Sequence, residues 1–364
     1  MAKVLVAMSG GVDSSVAAAL LKEQGHECLG VTMQVWSYKK SFGGCCSLEE
    51  VNDAKKVADK LEIPHYVLNF RDVFQKMVVD NFIEEYKNGR TPNPCIRCNQ
   101  FIKFDHLLKK ADELGCEKIA TGHYAKIKLK IKNEKCQMKE FILLKGKDKK
   151  KDQAYVLYML NQEALSRTLF PLGEMTKEKV RQTAKELGLP VHDKEDSQEI
   201  CFVEDDDYTN FIKQNCPEAV KPGKIVDLSG KVVGRHEGVA FFTLGQRKGI
   251  GSHLSQPKYV VKLDVENNAV VIGDQEDLLA KELIAKDLTF VSGQVPTKPL
   301  KIKAKIRYNS KEALAMLEIL GKEEAKEQEE AKVLFAEPQR AITSGQSIVF
   351  YQGEEVIGGG IISL

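Results

Sequence analysis

The sequence predicts an α/β domain with a doubly wound parallel sheet, followed by two small β domains. Over the first ~190 residues, short apolar runs alternate with helical segments, the pattern of a parallel sheet covered on both faces. From about Tyr208 the chain changes to short runs rich in Gly and β-branched residues, separated by turns. With 364 residues, the chain also exceeds the ~250–300 residues at which one hydrophobic core stops growing.

The first part alternates strands with helices in chain order. Val4–Met8 is an apolar run that ends at a Ser-Gly-Gly turn and predicts a buried strand, and the Ala- and Leu-rich run from Ser14 to Gly25 predicts a helix. The further strands predicted here are His26–Gln34, Tyr66–Phe70 and Lys118–Gly122, and the further helices are Leu48–Leu61, Asp72–Lys87 and Ile102–Leu114. Gly89–Asn99, rich in Pro, Asn and Cys, is predicted to be a loop.

The second part predicts β structure in two groups. The predicted strands are Gly223–Asp227, Val232–Val233, Tyr259–Asp264 and Ala269–Ile272, and then Lys301–Tyr308, Lys332–Glu337, Ser347–Tyr351 and Val356–Ile362. We therefore expect three domains, at residues 1–207, 208–280 and 281–364.

Composition and charge describe a globular protein and exclude several classes. Hydrophobic residues make up 43% of the chain and charged residues 29%. No apolar run approaches the ~18–20 residues that span a bilayer, and the start lacks the organisation of a signal peptide. We therefore expect no membrane partner and a cytoplasmic location. The nine Cys are an odd number in a long chain, which argues against a disulfide scaffold and favours reactive or metal-binding thiols.

Positive charge is concentrated in one segment, although the formal net charge is only +2. Residues 126–151 contain eleven Lys against Glu134, Glu140 and Asp148, and the alternation of Lys with apolar residues predicts a hairpin with Lys on one face. Two interpretations are open. Either the lysines keep a solvated hairpin soluble, or they contact the phosphates of RNA and release counterions.

The strongest motif is Ser9-Gly10-Gly11-Val12-Asp13-Ser14-Ser15, between the first strand and the first helix. A Gly-rich turn there exposes backbone N–H groups, and the helix N-terminus adds positive potential, so the segment is suited to bind phosphate. Because Asp13 would repel a phosphate, we expect it to hold Mg²⁺ or to cap the helix. The motif lacks the Lys of a Walker loop and differs from a dinucleotide fingerprint. An ordinary strand–turn–helix connection is the other interpretation.

Cysteines form a second candidate site. Cys95 and Cys98 make a CxxC within NPCIRCN at 93–99, and Cys201 lies within DSQEICF at 196–202. Three interpretations are open: a structural zinc site, which would need four N or S ligands although no second CxxC exists; inert cysteines; or redox or sulfur chemistry, with or without an iron–sulfur cluster. Sulfur transfer needs one thiol to carry a persulfide and another to release the sulfur, and Cys98 and Cys201 are candidates for that pair.

Nine motifs occur in an order that resembles the MnmA family of tRNA-specific 2-thiouridylases, over essentially the whole chain. They are SGGVDSS at 9–15, NPCIRCN at 93–99 followed by KF at 103–104, TGHYA at 121–125, KKDQAYVLY at 150–158, DSQEICF at 196–202, TLGQRKGIG at 243–251, KIRY at 305–308, ITSGQSIVFY at 342–351 and GGGII at 358–362. The resemblance implies an N-terminal PP-loop ATP pyrophosphatase domain, a small central domain and a C-terminal β-barrel. It also implies ATP-dependent conversion of the C2 oxygen of the wobble uridine (position 34) of Lys, Glu and Gln tRNAs to sulfur, with AMP and pyrophosphate as products.

The resemblance also implies roles for individual residues. Cys98 would be the first catalytic thiol, and Cys201 would carry the persulfide. ATP would contact Ala7, Met8, Ser9, Gly10, Gly11, Val12, Asp13, Ser14, Met33 and Gly122. Asn93, Pro94 and Cys95 would face the target base, and His123, Lys151, Asp152, Gln153, Arg307, Tyr308 and Gln346 would touch the tRNA. A cysteine desulfurase or a sulfur-relay protein would donate the sulfur, and Mg²⁺ would accompany ATP.

The chain departs from the family pattern at one position of the candidate site. Where the family often has Asp, this chain has Cys95, and the three thiols of Cys95, Cys98 and Cys201 are what a 4Fe–4S cluster with one open iron would need. The same reaction through such a cluster is therefore a second possible route. Three different functions also stay open, namely a PP-loop amidotransferase, a lysidine-type synthetase and a tRNA-binding protein without catalysis. Cys45–Cys46 are expected to be structural cysteines or transient metal ligands.

Overall fold

The structure is a computed structural model that describes residues 1–36, 48–133, 138–195, 200–250, 256–321 and 330–364. Within them, the chain forms a parallel sheet, a small mixed sheet and a barrel extended by a hairpin. Cys45–Cys46 and residues 196–199 of the Cys201 motif lie outside the described residues.

The central feature of the first part is a parallel sheet. The strands of this part are β1 Lys3–Ala7, β2 Glu27–Gln34, β3 His65–Asn69, β4 Lys118–Ala120, β5 Ala125–Asn133, β6 Met138–Lys145 and β7 Thr168–Leu169. Five of them pair in the order β3–β2–β1–β4–β7, all parallel, which confirms the predicted α/β sheet. The strand order reverses between β1 and β4, and ligands of such sheets bind at the carboxyl ends of the strands at this switch point.

Helices pack on the parallel sheet, and one more helix comes after it in the chain. They are α1 Val12–Glu23, α2 Leu48–Lys60, α3 Arg71–Phe74, α4 Asp80–Lys87, α5 Pro94–Arg97, α6 Leu107–Glu113, α7 Gln162–Arg167, α8 Lys177–Glu186 and α9 Tyr208–Asn215. π-helical segments at Gln75–Val79 and Cys98–His106 join α3 to α4 and α5 to α6. None of the helices in the described part of the chain combines the length and the apolar character needed to cross a bilayer.

The predicted loop Gly89–Asn99 is wrong from Pro94 onward, because α5 begins there. The side chain of Asn93 accepts the Ile96 N–H at 3.3 Å and so caps the helix. Pro94 suits the first helical position, since it has no N–H to lose and its φ is already helical. The CxxC therefore lies at the start of a helix instead of in the loop before one.

The Lys-rich segment forms the predicted hairpin, with β5 antiparallel to β6, although residues 134–137 at its tip lie outside the described residues. The hairpin also has a partner that neither interpretation included, because β6 pairs with the last strand of the chain, Leu143 opposite Val356 and Leu144 opposite Glu355. The ammonium group of Lys130 lies 4.0 Å from the Glu355 carboxylate. The hairpin therefore extends the C-terminal sheet, and part of its lysine charge pairs with acidic residues.

Two β units form the rest of the chain. β8 Gly223–Asp227, β9 Val232–His236, β10 Tyr259–Asp264 and β11 Ala269–Gly273 make a four-stranded sheet in the order β10–β11–β8–β9. The last unit contains β12 Leu279–Phe290, β13 Leu300–Lys305, β14 Ala313–Leu320, β15 Glu330–Arg340, β16 Ser347–Gln352 and β17 Glu355–Ser363. Pairing of β12 with both β15 and β17 closes it, which confirms the predicted barrel. A Cβ at Gly358 would lie 2.2 Å from the Thr289 carbonyl oxygen, so the closure requires glycine there.

Candidate active site

The Gly-rich segment after β1 folds into a tight loop at the carboxyl edge of the parallel sheet. Gly10 has φ +75°, and a Cβ there would lie 2.3 Å from the Glu50 carbonyl oxygen, so only glycine fits this turn. The hydroxyl of Ser14 accepts the Ser9 N–H at 3.1 Å, which folds the loop back over the start of α1. The N-cap of α1 is Gly11, which has no side chain to bond the first turn, so the backbone N–H groups there are suited to bind a phosphate.

The two strands that flank β1, namely β2 and β4, contribute further residues to the same edge of the sheet. Gly122 follows β4, and a Cβ there would lie 2.7 Å from the Ser14 backbone nitrogen and 2.8 Å from the Asp13 carbonyl carbon. The chain after β4 therefore packs directly on the first turn of α1. Met33, near the carboxyl end of β2, is half-buried. The residues predicted to contact the nucleotide thus lie together at the carboxyl ends of β2, β1 and β4.

Asp13 lies in the first turn of α1, where protein groups engage its carboxylate. The Lys177 ammonium group lies 2.8 Å from each carboxylate oxygen, and the Tyr124 hydroxyl donates to Oδ1 at 2.7 Å. The expectation that Asp13 caps the helix is wrong, because Gly11 is the N-cap and no side chain bonds there. The Lys177 ammonium group therefore engages both carboxylate oxygens, and the expectation that Asp13 holds Mg²⁺ stays a prediction.

Sequence reasoning did not single out Lys177 or Tyr124. Lys177 is the first residue of α8, directly after its N-cap Thr176. A cation in the first turn of a helix opposes the helix dipole, so a lysine at this position is a signal that an anion holds it. Tyr124 belongs to the TGHYA motif, of which only Gly122 and His123 were expected to have roles.

Cys95 and Cys98 lie one turn apart, at the start of α5 and of the π-helical segment that continues it. Cys95 is exposed and Cys98 is half-buried. Asn99 is 2% exposed, and its amide donates to the Val156 carbonyl at 3.0 Å. This bond fixes the CxxC helix to the 3₁₀ turn Ala154–Leu157. π-helical segments are frequent at functional sites, and this one carries the thiol predicted to be catalytic.

Cys98 and Cys201 border one apolar cluster, and Met33 borders it too. The cluster is built around aromatic rings, with the centroids of Phe82 and Phe202 5.2 Å apart. The structure therefore brings both thiols predicted to handle sulfur to the same cluster as a residue predicted to contact the nucleotide.

The three thiols of Cys95, Cys98 and Cys201 do not form a metal site. In the described ranges, no group of three or more His, Cys, Asp or Glu side chains is placed to hold a metal ion. Cys95 instead lies beside Tyr308 of the barrel, whose pKa is raised by burial, by Asp152 and by Cys95. The residues that the structure describes therefore do not fit a 4Fe–4S cluster or a structural zinc site.

The segment before the CxxC helix is held by the other two units. The Thr91 N–H donates to the Ser344 carbonyl at 2.8 Å, and the Gln346 amide donates to the carbonyls of Thr91 at 2.8 Å and Pro92 at 3.2 Å. The Thr91 hydroxyl donates to the Thr243 hydroxyl at 3.4 Å. The segment predicted to face the target base therefore lies where all three units meet.

Gln346→Glu is expected to lower the free energy of unfolding by about 1–3 kcal/mol, because it places a carboxylate against two carbonyl oxygens that now lack their donor. Chemical denaturation followed by circular dichroism measures the change. Gln352→Glu is the matched control, since the Gln352 amide also donates to a carbonyl, that of Lys301 at 3.3 Å, but at an exposed position. Equal losses in the two variants would contradict a bracing role for Gln346.

His123 and Arg307, both predicted to touch tRNA, point into the protein. His123 is 6% exposed, its Nδ1 lies 2.7 Å from the Thr121 hydroxyl, and burial lowers its pKa well below the usual value. Arg307 is half-buried, and its guanidinium donates to the Ala341 carbonyl at 2.7 Å. Neither side chain offers RNA an open surface in this conformation, so their contact with tRNA stays a prediction.

A positively charged turn lies beside the CxxC helix and ends with three residues predicted to touch tRNA, namely Lys151, Asp152 and Gln153. The Asp152 carboxylate accepts the Gly146 N–H at 2.8 Å, and the Tyr308 hydroxyl donates to the Asp152 carbonyl at 3.1 Å. Because Cys95 is close enough to Tyr308 to contribute to the raised pKa of that tyrosine, the turn lies near the start of the CxxC helix. The turn therefore offers positive charge close to the segment predicted to face the target base.

The chain matches three family models that follow one another along its length. Residues 2–205 match the model described as tRNA methyl transferase HUP domain, and residues 209–274 match the tRNA methyl transferase PRC-barrel domain. Residues 280–362 match the aminomethyltransferase beta-barrel domain.

Named relatives match the chain from end to end. A protein of Acetivibrio thermocellus named tRNA-specific 2-thiouridylase MnmA is 52% identical over 365 residues, covering 99% of each chain. Proteins of the same name from Clostridioides difficile and Carboxydothermus hydrogenoformans are 50% and 52% identical, over 99% of this chain and 98% and 97% of theirs. With its Gly-rich loop at the switch point and two thiols on one apolar cluster, the chain belongs to the MnmA family of tRNA-specific 2-thiouridylases.

Proposed function

We propose that the protein catalyses the ATP-dependent 2-thiolation of the wobble uridine (position 34) in tRNA Lys, Glu and Gln. The observation that carries this proposal is the common border of Met33, Cys98 and Cys201 on one apolar cluster, beside the sheet edge that bears the Gly-rich loop. An enzyme that activates a carbonyl with ATP and then adds sulfur needs its nucleotide site and its thiols within reach of the same atom. The relatives at 50–52% identity carry 2-thiouridylase in their names.

The first step activates the base. ATP binds with its phosphates at Ser9–Ser14, where backbone N–H groups and the N-terminus of α1 favour an anion. Mg²⁺ that enters with ATP would neutralise phosphate charge, and the Asp13 carboxylate, whose oxygens also accept from Lys177, would be its candidate protein ligand. The uridine, flipped out of the anticodon loop, presents its C2 carbonyl oxygen, which attacks the α-phosphate. Pyrophosphate leaves, and the resulting O2-adenylate turns a poor oxygen leaving group into AMP.

The second step delivers sulfur. Cys201 carries a persulfide, which a cysteine desulfurase or a sulfur-relay protein supplies. The Cys98 thiolate attacks the Cys201 Sγ, the Cys98–Cys201 disulfide forms, and hydrosulfide leaves. Hydrosulfide adds to C2 of the adenylated uridine, AMP leaves, and loss of a proton gives the thiocarbonyl. A thiol reductant then returns the disulfide to two thiols.

Cys95→Asp separates this route from one that needs a cluster. Cys95 is exposed, and among the described residues no metal-ligand group forms around it, so we expect thiolation to stay within about tenfold of the wild-type rate. The rate of 2-thiouridine formation, measured without oxygen on protein of known iron content, checks this. Iron in the wild type that is lost together with all activity in the variant would refute the persulfide route.

Mass spectrometry of tRNA nucleosides tests the function itself. An unmodified tRNA Glu transcript incubated with the protein, ATP and a persulfide donor is expected to gain 2-thiouridine, and to gain none without ATP. The matching family models carry methyl transferase names, so a parallel reaction with S-adenosylmethionine serves as the comparison. Methylated uridine in that reaction, together with no 2-thiouridine in the first, would refute the proposal.

Three parts of this proposal rest on the resemblance to the family: the cytoplasmic location, the identity of the sulfur donor and the choice of tRNAs. We also propose domain limits of 1–207, 208–280 and 281–364. The hairpin of β5 and β6 belongs to the first of these in the chain but pairs with the last in space.

A further inference from the structure

A carboxylate connects a lysine-rich turn to the first residue of α8. We name residues 146–153 the Lys turn, since its lysines 147, 149 and 150 are exposed. Asp148 organises it, because its Oδ1 accepts the Lys150 N–H at 2.9 Å while its Oδ2 accepts the Lys177 N–H at 2.9 Å. These bonds to backbone N–H groups lower the pKa of Asp148, so the bridging group is a charged carboxylate at neutral pH. The turn and the start of α8 are therefore held together.

Lys177 extends this connection to the Gly-rich loop. Its ammonium group lies 2.8 Å from both oxygens of Asp13, and only 11% of its side chain is exposed. Charge-assisted bonds to both oxygens at a shielded position fix geometry more firmly than a surface ion pair does. Asp13 belongs to the first turn of α1, so the start of α8 and the loop that is suited to bind phosphate are held in one arrangement.

A second path joins the same two places through Tyr124. The Tyr124 N–H donates to the Gln153 side-chain oxygen at 3.0 Å, and the Gln153 N–H donates to the Tyr124 carbonyl at 2.9 Å. The Tyr124 hydroxyl donates to Asp13 at 2.7 Å. Tyr124 is 2% exposed and belongs to the same apolar cluster as Val12 of α1. Because its ring is packed in this cluster, Tyr124 links Gln153 to Asp13 in a fixed geometry. Both ends of the Lys turn therefore lead to Asp13.

We propose that Asp148 and Tyr124 are positioning residues that couple RNA bound at the Lys turn to ATP bound at the Gly-rich loop. This inference rests on the proposed function, in which tRNA is the polyanion that binds beside the turn. Phosphates drawn to the exposed ammonium groups act on the backbone whose N–H groups Asp148 holds. A shift of the turn moves Asp148 together with the start of α8, and it thereby moves Lys177 against Asp13.

Such coupling is a free energy shared by the two ligands and is therefore reciprocal. ATP raises the affinity for tRNA by the same factor by which tRNA raises the affinity for ATP. As a consequence, the enzyme arranges its phosphate loop fully only when tRNA is bound. This limits the consumption of ATP when no uridine is present to be modified.

The coupling ratio tests the inference. It is the Kd for an unmodified tRNA Glu transcript without nucleotide, divided by the Kd with a non-hydrolysable ATP analogue. In the wild type, both oxygens of the Asp148 carboxylate accept backbone N–H groups. Asp148→Asn replaces one of these oxygens with an NH₂ group, which cannot accept. We therefore expect the coupling ratio to fall by about 3- to 30-fold. Tyr124→Phe removes only the hydroxyl and is expected to lower the ratio in the same direction, and it decides the matter if Asp148→Asn does not fold.

Asp227→Asn is the matched control for this experiment. Asp227 organises the turn between β8 and β9 in the same way, accepting the N–H groups of Ser229 at 2.9 Å and Lys231 at 3.0 Å, and it is expected to leave the ratio unchanged. A wild-type ratio near one, or a ratio that Asp148→Asn and Tyr124→Phe leave unchanged, would overturn the inference. Coupling that depends on Asp148 in a protein that forms no 2-thiouridine would support the inference and refute the proposed function.

Discussion

Cys201→Ser is expected to abolish 2-thiouridine formation, by at least about 10³-fold, while tRNA-dependent release of AMP continues. A serine hydroxyl cannot carry a persulfide, whereas the Gly-rich loop that binds ATP is on a different element and is unchanged. Nucleoside mass spectrometry and an AMP assay on the same reaction mixtures measure the two activities separately.

Cys116→Ala is the control for Cys201→Ser, because it also removes a thiol that is shielded from solvent. Cys116 is 3% exposed and precedes β4, at the amino edge of the sheet, opposite the Gly-rich loop. This variant is expected to thiolate tRNA at nearly the wild-type rate. Full thiolation by Cys201→Ser, or loss of AMP release together with thiolation, would contradict the role given to Cys201.

Gly122→Val is expected to weaken ATP binding by about 5- to 150-fold, which corresponds to the about 1–3 kcal/mol that overpacking costs. The Cβ alone would lie 2.7 Å from the Ser14 backbone nitrogen and 2.8 Å from the Asp13 carbonyl carbon. Both are backbone atoms of α1, so the start of the helix must move, and the phosphate loop must move with it. Isothermal titration with a non-hydrolysable ATP analogue measures the affinity.

Gly321→Val is the control for a β-branched residue in place of glycine. Among the residues that the structure describes, no atom lies within 4 Å of the position that a Cβ at Gly321 would occupy, so ATP affinity is expected to stay at the wild-type value. Unchanged ATP affinity in Gly122→Val, in protein that is folded by circular dichroism, would contradict the position assigned to the nucleotide.

Local signals predicted the nucleotide loop well. The apolar run at 4–8, the two glycines after it and the Ala- and Leu-rich helix are each recognisable within a few residues, and β1, the turn at Gly10 and α1 follow them. The start of α5 was also readable, because Asn93 followed by Pro94 is a capped helix start. The high content of Pro, Asn and Cys in Gly89–Asn99 favoured a loop instead. The two local signals disagreed, and the loop prediction was therefore wrong from Pro94 onward.

Contacts distant in sequence could not be predicted from such patterns. Asp13 and Lys177 are 164 positions apart, and Gln346 and Thr91 are 255 apart, so no periodicity or turn signal links them. The pairing of β6 with β17 could not be predicted from the sequence either. The alternation of Lys with apolar residues indicates that the hairpin has two faces, but it does not identify the strand that pairs with β6. The fold class was therefore predictable, whereas the bonds that join the units were found only in the structure.

A single turnover on preloaded enzyme tests the central claim most directly. The protein is loaded with persulfide, freed of donor, and mixed with ATP and excess unmodified tRNA Glu transcript. We expect equal amounts of 2-thiouridine, AMP and a Cys98–Cys201 disulfide, the last identified by mass spectrometry of non-reduced peptides. 2-Thiouridine formed without that disulfide, or formed in the absence of ATP, would contradict the proposed route of ATP activation and sulfur transfer from the Cys201 persulfide.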